Sequence, residues 1–247
     1  VDSSADDPEF LQQLDQRCAG HDLPHVLVSS RLDPKKNIGG VVEAYAHSSA
    51  LQEKARLALF VRGVTNPFES IDALAEGERS VLGPILERIE QAGLREKVDF
   101  FDIRSQQNLA AAYRYFGRRG SVFVLPSLFE PFGLAPIEAA ACGLAVVATK
   151  NGGPTEIFED GSGLLVDPTD PADMSQGIER ALAEHGRLAE AGRQRVLSTY
   201  TWDQTAGRYL RAIKRHVESP GREKGDGYRI ADLDASELIR TYAAGPP

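Results

Sequence analysis

Six short apolar runs, separated by amphipathic stretches, constrain the fold more than any other feature of this chain. They are HVLVSS (25–30), RLALFVRG (56–63), KVDFFD (97–102), SVFVLP (121–126), LAVVAT (144–149) and GLLVDP (163–168). Several are apolar at successive positions rather than alternate ones, as in strands buried on both faces of a parallel sheet. Between them, helical periodicity is predicted over Ile38–His47, Glu78–Ala92, Gln107–Phe116, Leu134–Cys142 and Ala172–His185. Asp170 and Pro171 open the last of these as N-cap and first helical residue, and Asn37 is the expected N-cap of the first. Such alternation predicts an α/β fold, a doubly wound, Rossmann-like parallel sheet with helices on both faces. Ligands of these sheets bind at the carboxyl ends of the strands, where strand order reverses.

The flanks read differently. Residues 1–24 are polar apart from FLQQL and are expected to be a lead-in or linker to a domain spanning 25–216. Arg187–Ser198 and Trp202–His216 are predicted helices with no strand between them. In the second, Trp202, Ala206, Tyr209, Leu210 and Ile213 share one face. Residues 217–247 are read as a linker, including SPGREKGDG (219–227), and a tail.

The remaining bulk properties exclude several functions. A formal net charge of -8 argues against a nucleic-acid or anionic-membrane partner, while leaving room for a local basic pocket. No apolar run reaches the roughly 18 residues of a membrane span. Cys18 and Cys142 are far apart and suit a reducing cytoplasm rather than a disulfide scaffold. The opening VDSSADDPEF has no initiator Met or signal-peptide pattern and reads as cut from a longer chain.

Four strand-end segments can carry chemistry. In EPFGLAPIE (130–138), Glu130 follows a central strand and the next helix begins near Gly133. Free N–H groups around Phe132, Gly133, Leu134 and Ala135 would form an anion site favoured by the helix dipole. Glu130 and Glu138 could accept hydrogen bonds from neutral hydroxyls beside it, so a sugar attached to a phosphate meets both demands. Taken in isolation, two such acids are more often a turn residue and an exposed helix residue, and it is the surrounding sequence that favours the ligand reading. In RLDPKKN, Arg31 and Lys36 suit a diphosphate, Arg as a fork and Lys as a point charge, although a basic turn is often only a solvated loop. In KNGGPTEI, Gly152 and Gly153 permit close approach to a ligand or positive φ, or form an ordinary turn. In DIRSQQNLAAAY, Gln106, Gln107 or Asn108 could read a base edge, while Ser105 could simply cap a helix. No phosphate-binding G-x-x-x-x-G-K-[ST] loop, G-x-G-x-x-G turn or G-x-S-x-G elbow is present. The His residues show no metal-ligand spacing, and His25 and His47 are expected to be structural or exposed.

Together RLDPKKN, EPFGLAPIE, AACGLAVVATKNGGPTEI and GLLVDP resemble retaining glycosyltransferases of the GT-B architecture, over about residues 25 to 216. With the NPFE and SQQNLAAAY segments, the sequence is most similar to the bacterial sucrose-phosphate synthase and sucrose synthase branch. The resemblance implies a UDP-glucose donor and, in the intact enzyme, transfer to fructose 6-phosphate. It implies that Arg31 and Lys36 bind the diphosphate and that Glu130 contacts the donor sugar. Glu138 would hold the ribose, and the backbone of Phe132, Gly133 and Leu134 would meet sugar and phosphate. The 105–107 loop, with Gln106 and Gln107, would contact uracil. No cofactor or metal is expected, and the catalytic set is Arg31, Lys36 and Glu130. The chain is expected to be the donor-binding half, with an acceptor-binding N-terminal domain as its missing partner. Sucrose synthase, another hexosyltransferase or a non-catalytic nucleotide-binding module are the alternatives.

Overall fold

The continuously apolar runs become the strands β1 (His25–Ser29), β2 (Arg56–Phe60), β3 (Val98–Phe101), β4 (Val122–Leu125), β5 (Ala145–Thr149) and β6 (Leu164–Val166) of one sheet. This is a computed structural model, and it describes residues 6–218. All neighbouring strands pair in parallel, in the order β3-β2-β1-β4-β5-β6. Strand order therefore reverses between β1 and β4, where Val26 pairs with Val122 and Leu27 with Phe123.

Successive side chains of a strand point to opposite faces, and both faces here are buried. Val26, Val28, Val122, Val124 and Val147 join one core, whereas Leu27, Phe123, Leu125 and Val146 join the other. The helices are α1 (Pro8–Cys18), α2 (Ile38–His47), α3 (Ser49–Lys54), α4 (Pro67–Ser70), α5 (Glu76–Gln91), α6 (Gln106–Arg118), α7 (Leu134–Ala141), α8 (Pro154–Ile157), α9 (Pro171–Ala183), α10 (His185–Thr199) and α11 (Trp202–Glu218). Helices α2, α5 and α9 cover the first face through Val41, Ile85 and Ile178. Helices α1, α6 and α7 cover the second through Leu14, Phe116 and Ile137. Asp170 caps α9 as the sequence predicts, accepting from the N–H groups of Ala172 (2.9 Å) and Asp173 (3.2 Å).

Two local expectations change. The segment read as a lead-in holds α1, whose Phe10, Leu14 and Cys18 are buried in the second core. These positions repeat every four residues and make a narrow stripe that the polar composition around them hides. Asn37 does not cap α2 with its side chain; it sits in the left-handed region at φ 51° and ψ 37°. Its amide is used elsewhere, as described below.

The chain divides into a unit ending at Thr201 and a second beginning at Trp202. In the second, α11 carries exposed Trp202, Tyr209, Leu210 and Ile213, the apolar residues expected to share a face. The expected linker at 219–227 and the 228–247 tail lie outside the described residues. No helix among the described residues is long and apolar enough to cross a membrane.

Candidate functional site

The site grows from the segments that follow β1 and β4, neighbours at the reversal of strand order. After β1, the Asp33 carboxylate accepts from the N–H of Lys35 (2.9 Å) and starts a single 3-10 turn, Pro34–Lys36. The carbonyl of Lys35 accepts from the N–H of Leu128 (2.9 Å), which docks this turn against the segment after β4. Across that contact, Lys36 Nζ donates to Glu130 Oε2 at 2.8 Å. Both side chains are largely buried, 21% and 14% exposed, so the pair is shielded from the screening that weakens surface ion pairs. The two residues expected at neighbouring subsites thus contact each other directly.

Arg31 stands apart from that pair. It is exposed and lines a cleft of about 890 Å³ at the carboxyl ends of β1, β2 and β3, with Arg62, Arg104 and Gln106 also on its walls. Arg62 and Arg104 were missed by the sequence reading, although both follow strands by the same logic that singled out Arg31. Arg104 is partly neutralised by Asp102, which accepts from its Nε at 2.8 Å. Burial pushes the Asp102 carboxyl up, but hydrogen bonds from Arg104 and the Gly63 N–H outweigh it and leave the group below its ordinary value.

The glycines of KNGGP serve the Glu130 segment itself. The Glu130 N–H donates to the Asn151 carbonyl (3.0 Å), and the Gly153 N–H donates to the Glu130 carbonyl (2.8 Å). A Cβ at Gly152, where φ is 102°, would lie 2.2 Å from the Glu130 carbonyl oxygen; one at Gly153 would lie 2.0 Å from that of Phe132. Only glycine admits this approach of two backbones. Gly133 then turns the chain at φ 108° into α7, which has no side-chain cap at its amino end. Phe132 and Leu134 flank it with exposed side chains, while Gly133 is buried.

Glu138 belongs to a different pocket. Ser105 accepts from the Asn108 N–H (3.0 Å) and caps α6, placing Gln106 and Gln107 in the first helical turn. Gln106 Nε2 donates to Glu138 Oε1 at 3.0 Å. Their contact closes one side of a pocket of about 170 Å³ walled by Leu109, Tyr113, Glu138 and Cys142. Burial pushes the Glu138 carboxyl above its ordinary value, opposed by the bond from Gln106. A carboxylate already desolvated and held at the end of an apolar slot is suited to accept hydrogen bonds from a pair of hydroxyls. Glu130 and Glu138 therefore occupy separate surroundings, one beside a cation and one beside an amide.

At the amino ends of the strands, His25, Arg56 and Asp99 form a second polar cluster. The Arg56 guanidinium donates to both Asp99 oxygens, at 2.7 and 2.9 Å, and His25 Nε2 faces the same carboxylate at 3.0 Å. Burial pushes Asp99 up, but the bonds from His25 and Arg56 prevail and hold it well below the usual carboxylate range. His21, His25 and Asp99 offer ligand atoms within 4.8 Å of one another, a proximity their sequence spacing hides. The Arg56 fork fits these residues poorly to a metal, because it sets a positive charge on both oxygens that would have to bind one. The cluster is a structural ion network, in agreement with the expectation for His25.

The sequence and the fold have known counterparts. Residues 14–195 match the family model described as glycosyl transferases group 1. Among relatives, a probable sucrose-phosphate synthase of Oryza sativa subsp. japonica is 36% identical over 200 residues, covering 80% of this chain and 19% of that protein. A sucrose synthase of Thermosynechococcus vestitus is 36% identical over 194 residues, covering 75% of this chain and 24% of that one. The chain thus spans about a fifth to a quarter of the length of these relatives. Among solved structures, a sucrose-phosphate synthase from Thermosynechococcus elongatus superposes with a TM-score of 0.65 at 29% identity, covering 86% of this chain and 49% of that one. Anabaena Alr3699/HepE in complex with UDP-glucose shares the fold, with a TM-score of 0.64 at 21% identity over 84% of this chain and 53% of that one. The chain belongs to the group 1 glycosyl transferases, as a domain related to the sucrose-phosphate synthases.

Proposed function

We propose that this domain binds the donor of a retaining hexosyl transfer, UDP-glucose, along the carboxyl edge of the sheet. The observation that carries the reading is the division of the two glutamates between a cation-bearing subsite and an apolar slot with an amide at its mouth. A nucleotide sugar needs that division: one acid for the hexose hydroxyls, one for the ribose, and cations for the diphosphate between them. The likeness to sucrose-phosphate synthases and the UDP-glucose named for Alr3699/HepE support this choice of donor.

In this reading Lys36 and Arg31 meet the diphosphate, and the amino end of α7 presents its N–H groups to the same charge. As the bond from the anomeric carbon to the phosphate oxygen breaks, its electron pair passes to the leaving diphosphate. Charge placed in advance beside that oxygen stabilises the transition state more than the ground state. The acceptor hydroxyl attacks from the face the nucleotide leaves and passes its proton to the departing phosphate oxygen, so neither glutamate acts as a nucleophile. Gln106 and Gln107 face the base, and the residues named need no metal or other cofactor to neutralise the phosphates. The acceptor is fructose 6-phosphate, giving sucrose 6-phosphate, and its site lies in the N-terminal domain of the GT-B enzyme, the partner of this one. The likeness to a sucrose synthase keeps free fructose as the second reading.

Calorimetry of the chain with UDP, UDP-glucose, ADP-glucose and GDP-mannose tests the donor. Binding of the uridine ligands is expected, and Lys36→Ala should weaken UDP by about 1.5–3 kcal/mol through loss of a charge-assisted contact. No binding of any of the four at millimolar concentration would refute the reading. Assays of the chain with its N-terminal partner, comparing fructose 6-phosphate with fructose, decide the acceptor.

A further inference from the structure

We propose that Asn37 is a positioning residue for Lys36, fixing the root of the side chain whose ammonium group the donor diphosphate would meet. The proposal rests on the nucleotide-sugar reading of the site and adds to it a residue whose amide is engaged with backbone carbonyls. Among the described residues, Asn37 is the only non-glycine with positive φ. Its side chain does not cap the helix that follows. Instead Nδ2 donates to two carbonyls, Pro168 at 2.6 Å and Pro126 at 3.2 Å, which lie just beyond β6 and β4. Both protons of the amide are therefore directed into the joints between strand ends.

Room for that amide comes from Gly40, where a Cβ would lie 2.5 Å from Asn37 Nδ2 and 2.7 Å from Oδ1. On the other side of Lys36, the Lys35 carbonyl holds the N–H of Leu128. Lys36 is thus flanked by two residues that are each tied to the segment leading to Glu130. A lysine stem has several rotatable bonds, and fixing the backbone at its root sets the point from which they start and so the region the ammonium group can reach. The residue type also follows. Asparagine tolerates the left-handed backbone and supplies two donors, whereas aspartate would set a carboxylate against two carbonyl oxygens.

The test is a double-substitution cycle in the 247-residue chain, read as UDP affinity by calorimetry. Asn37→Gly keeps the left-handed backbone and removes the amide, and should weaken UDP on the order of tenfold; Asn37→Asp should weaken it more. In a Lys36→Ala background, Asn37→Gly should have little further effect, because the group it positions is gone. Equal loss in both backgrounds would show a general structural role and overturn the proposal, as would full affinity in the Asn37→Gly protein. Thermal unfolding confirms that each variant is folded. If Asn37→Gly is not, Gly40→Ala, which crowds the amide, takes its place in the same cycle with the same two outcomes. Failure to bind UDP in the unaltered chain removes the donor reading and this proposal together, whereas loss in Lys36→Ala without loss in the Asn37 variants removes only this one.

Discussion

If Glu130 holds the donor sugar as proposed, its 2.8 Å contact with Lys36 also makes it a competitor for the cation that the diphosphate would need. Replacing it separates the two roles. Glu130→Gln keeps the shape of the side chain but removes a negative charge beside the phosphate position and releases Lys36. UDP should then bind as tightly as before or a few-fold tighter, while UDP-glucose should bind on the order of tenfold more weakly through loss of a charge-assisted bond. Calorimetry with both ligands on one protein checks this, and equal weakening of the two would sink it. The strand-end logic brought Lys36 and Glu130 to one edge of the sheet. Their pairing was illegible, since it depends on which strands are neighbours. Asn37 holds the N-cap position of α2 as expected, but its side-chain partners were illegible for a related reason: they follow β4 and β6, far along the chain.

At the scale of elements, the six strands were legible because a parallel strand buried on two faces cannot hide its apolar run. Helix α9 was equally plain from Asp170 and Pro171. Helix α1 was not, because only Phe10, Leu14 and Cys18 of its residues are buried and the rest of the segment looks like a tether. Its contribution can be measured. Leu14 is 2% exposed, so Leu14→Ala should cost about 2–5 kcal/mol in urea unfolding, from lost transfer energy and the cavity left behind. The exposed neighbour Gln13→Ala should stay within about 0.5 kcal/mol. Equal small effects would mean that α1 is not part of the cooperative unit. The glycines of KNGGP show the opposite case: the residue type was legible, but its cause, the carbonyls of Glu130 and Phe132, required the tertiary fold.

For the molecule as a whole, both ends of the sheet carry ion pairs, and the carboxyl end also carries cations facing a cleft. At the amino end Arg56 and His25 are paired with Asp99, and at the carboxyl end Arg31 and Arg62 face a cleft. The amino end gives stability a definite pH dependence. Burial lowers His25, with Asp99 opposing and Arg56 and Arg119 reinforcing; burial, Arg56 and His25 lower His21. A histidine with a depressed folded pKa adds stability that is present above its unfolded value, near 6.5, and lost as pH falls through the folded one. Asp99, held low in the fold, adds a second loss beginning below its ordinary 3.8. Urea midpoints should therefore fall between about pH 7.5 and about pH 5, and His25→Gln should flatten that first slope. A midpoint constant over the interval, or an unchanged slope in the variant, would contradict the assignment.

Lys36 and Glu130 are 94 residues apart in sequence yet meet across the seam where β1 lies beside β4. Contacts of such separation carry the full entropy of closing the intervening loop. The proposed donor site consequently has no local precursor in the unfolded chain and comes into being only when the two halves of the sheet zip together. If a nucleotide binds there as proposed, its binding would be a gauge of completed assembly, and the bound nucleotide would act as a staple across the seam, stabilising both halves at once.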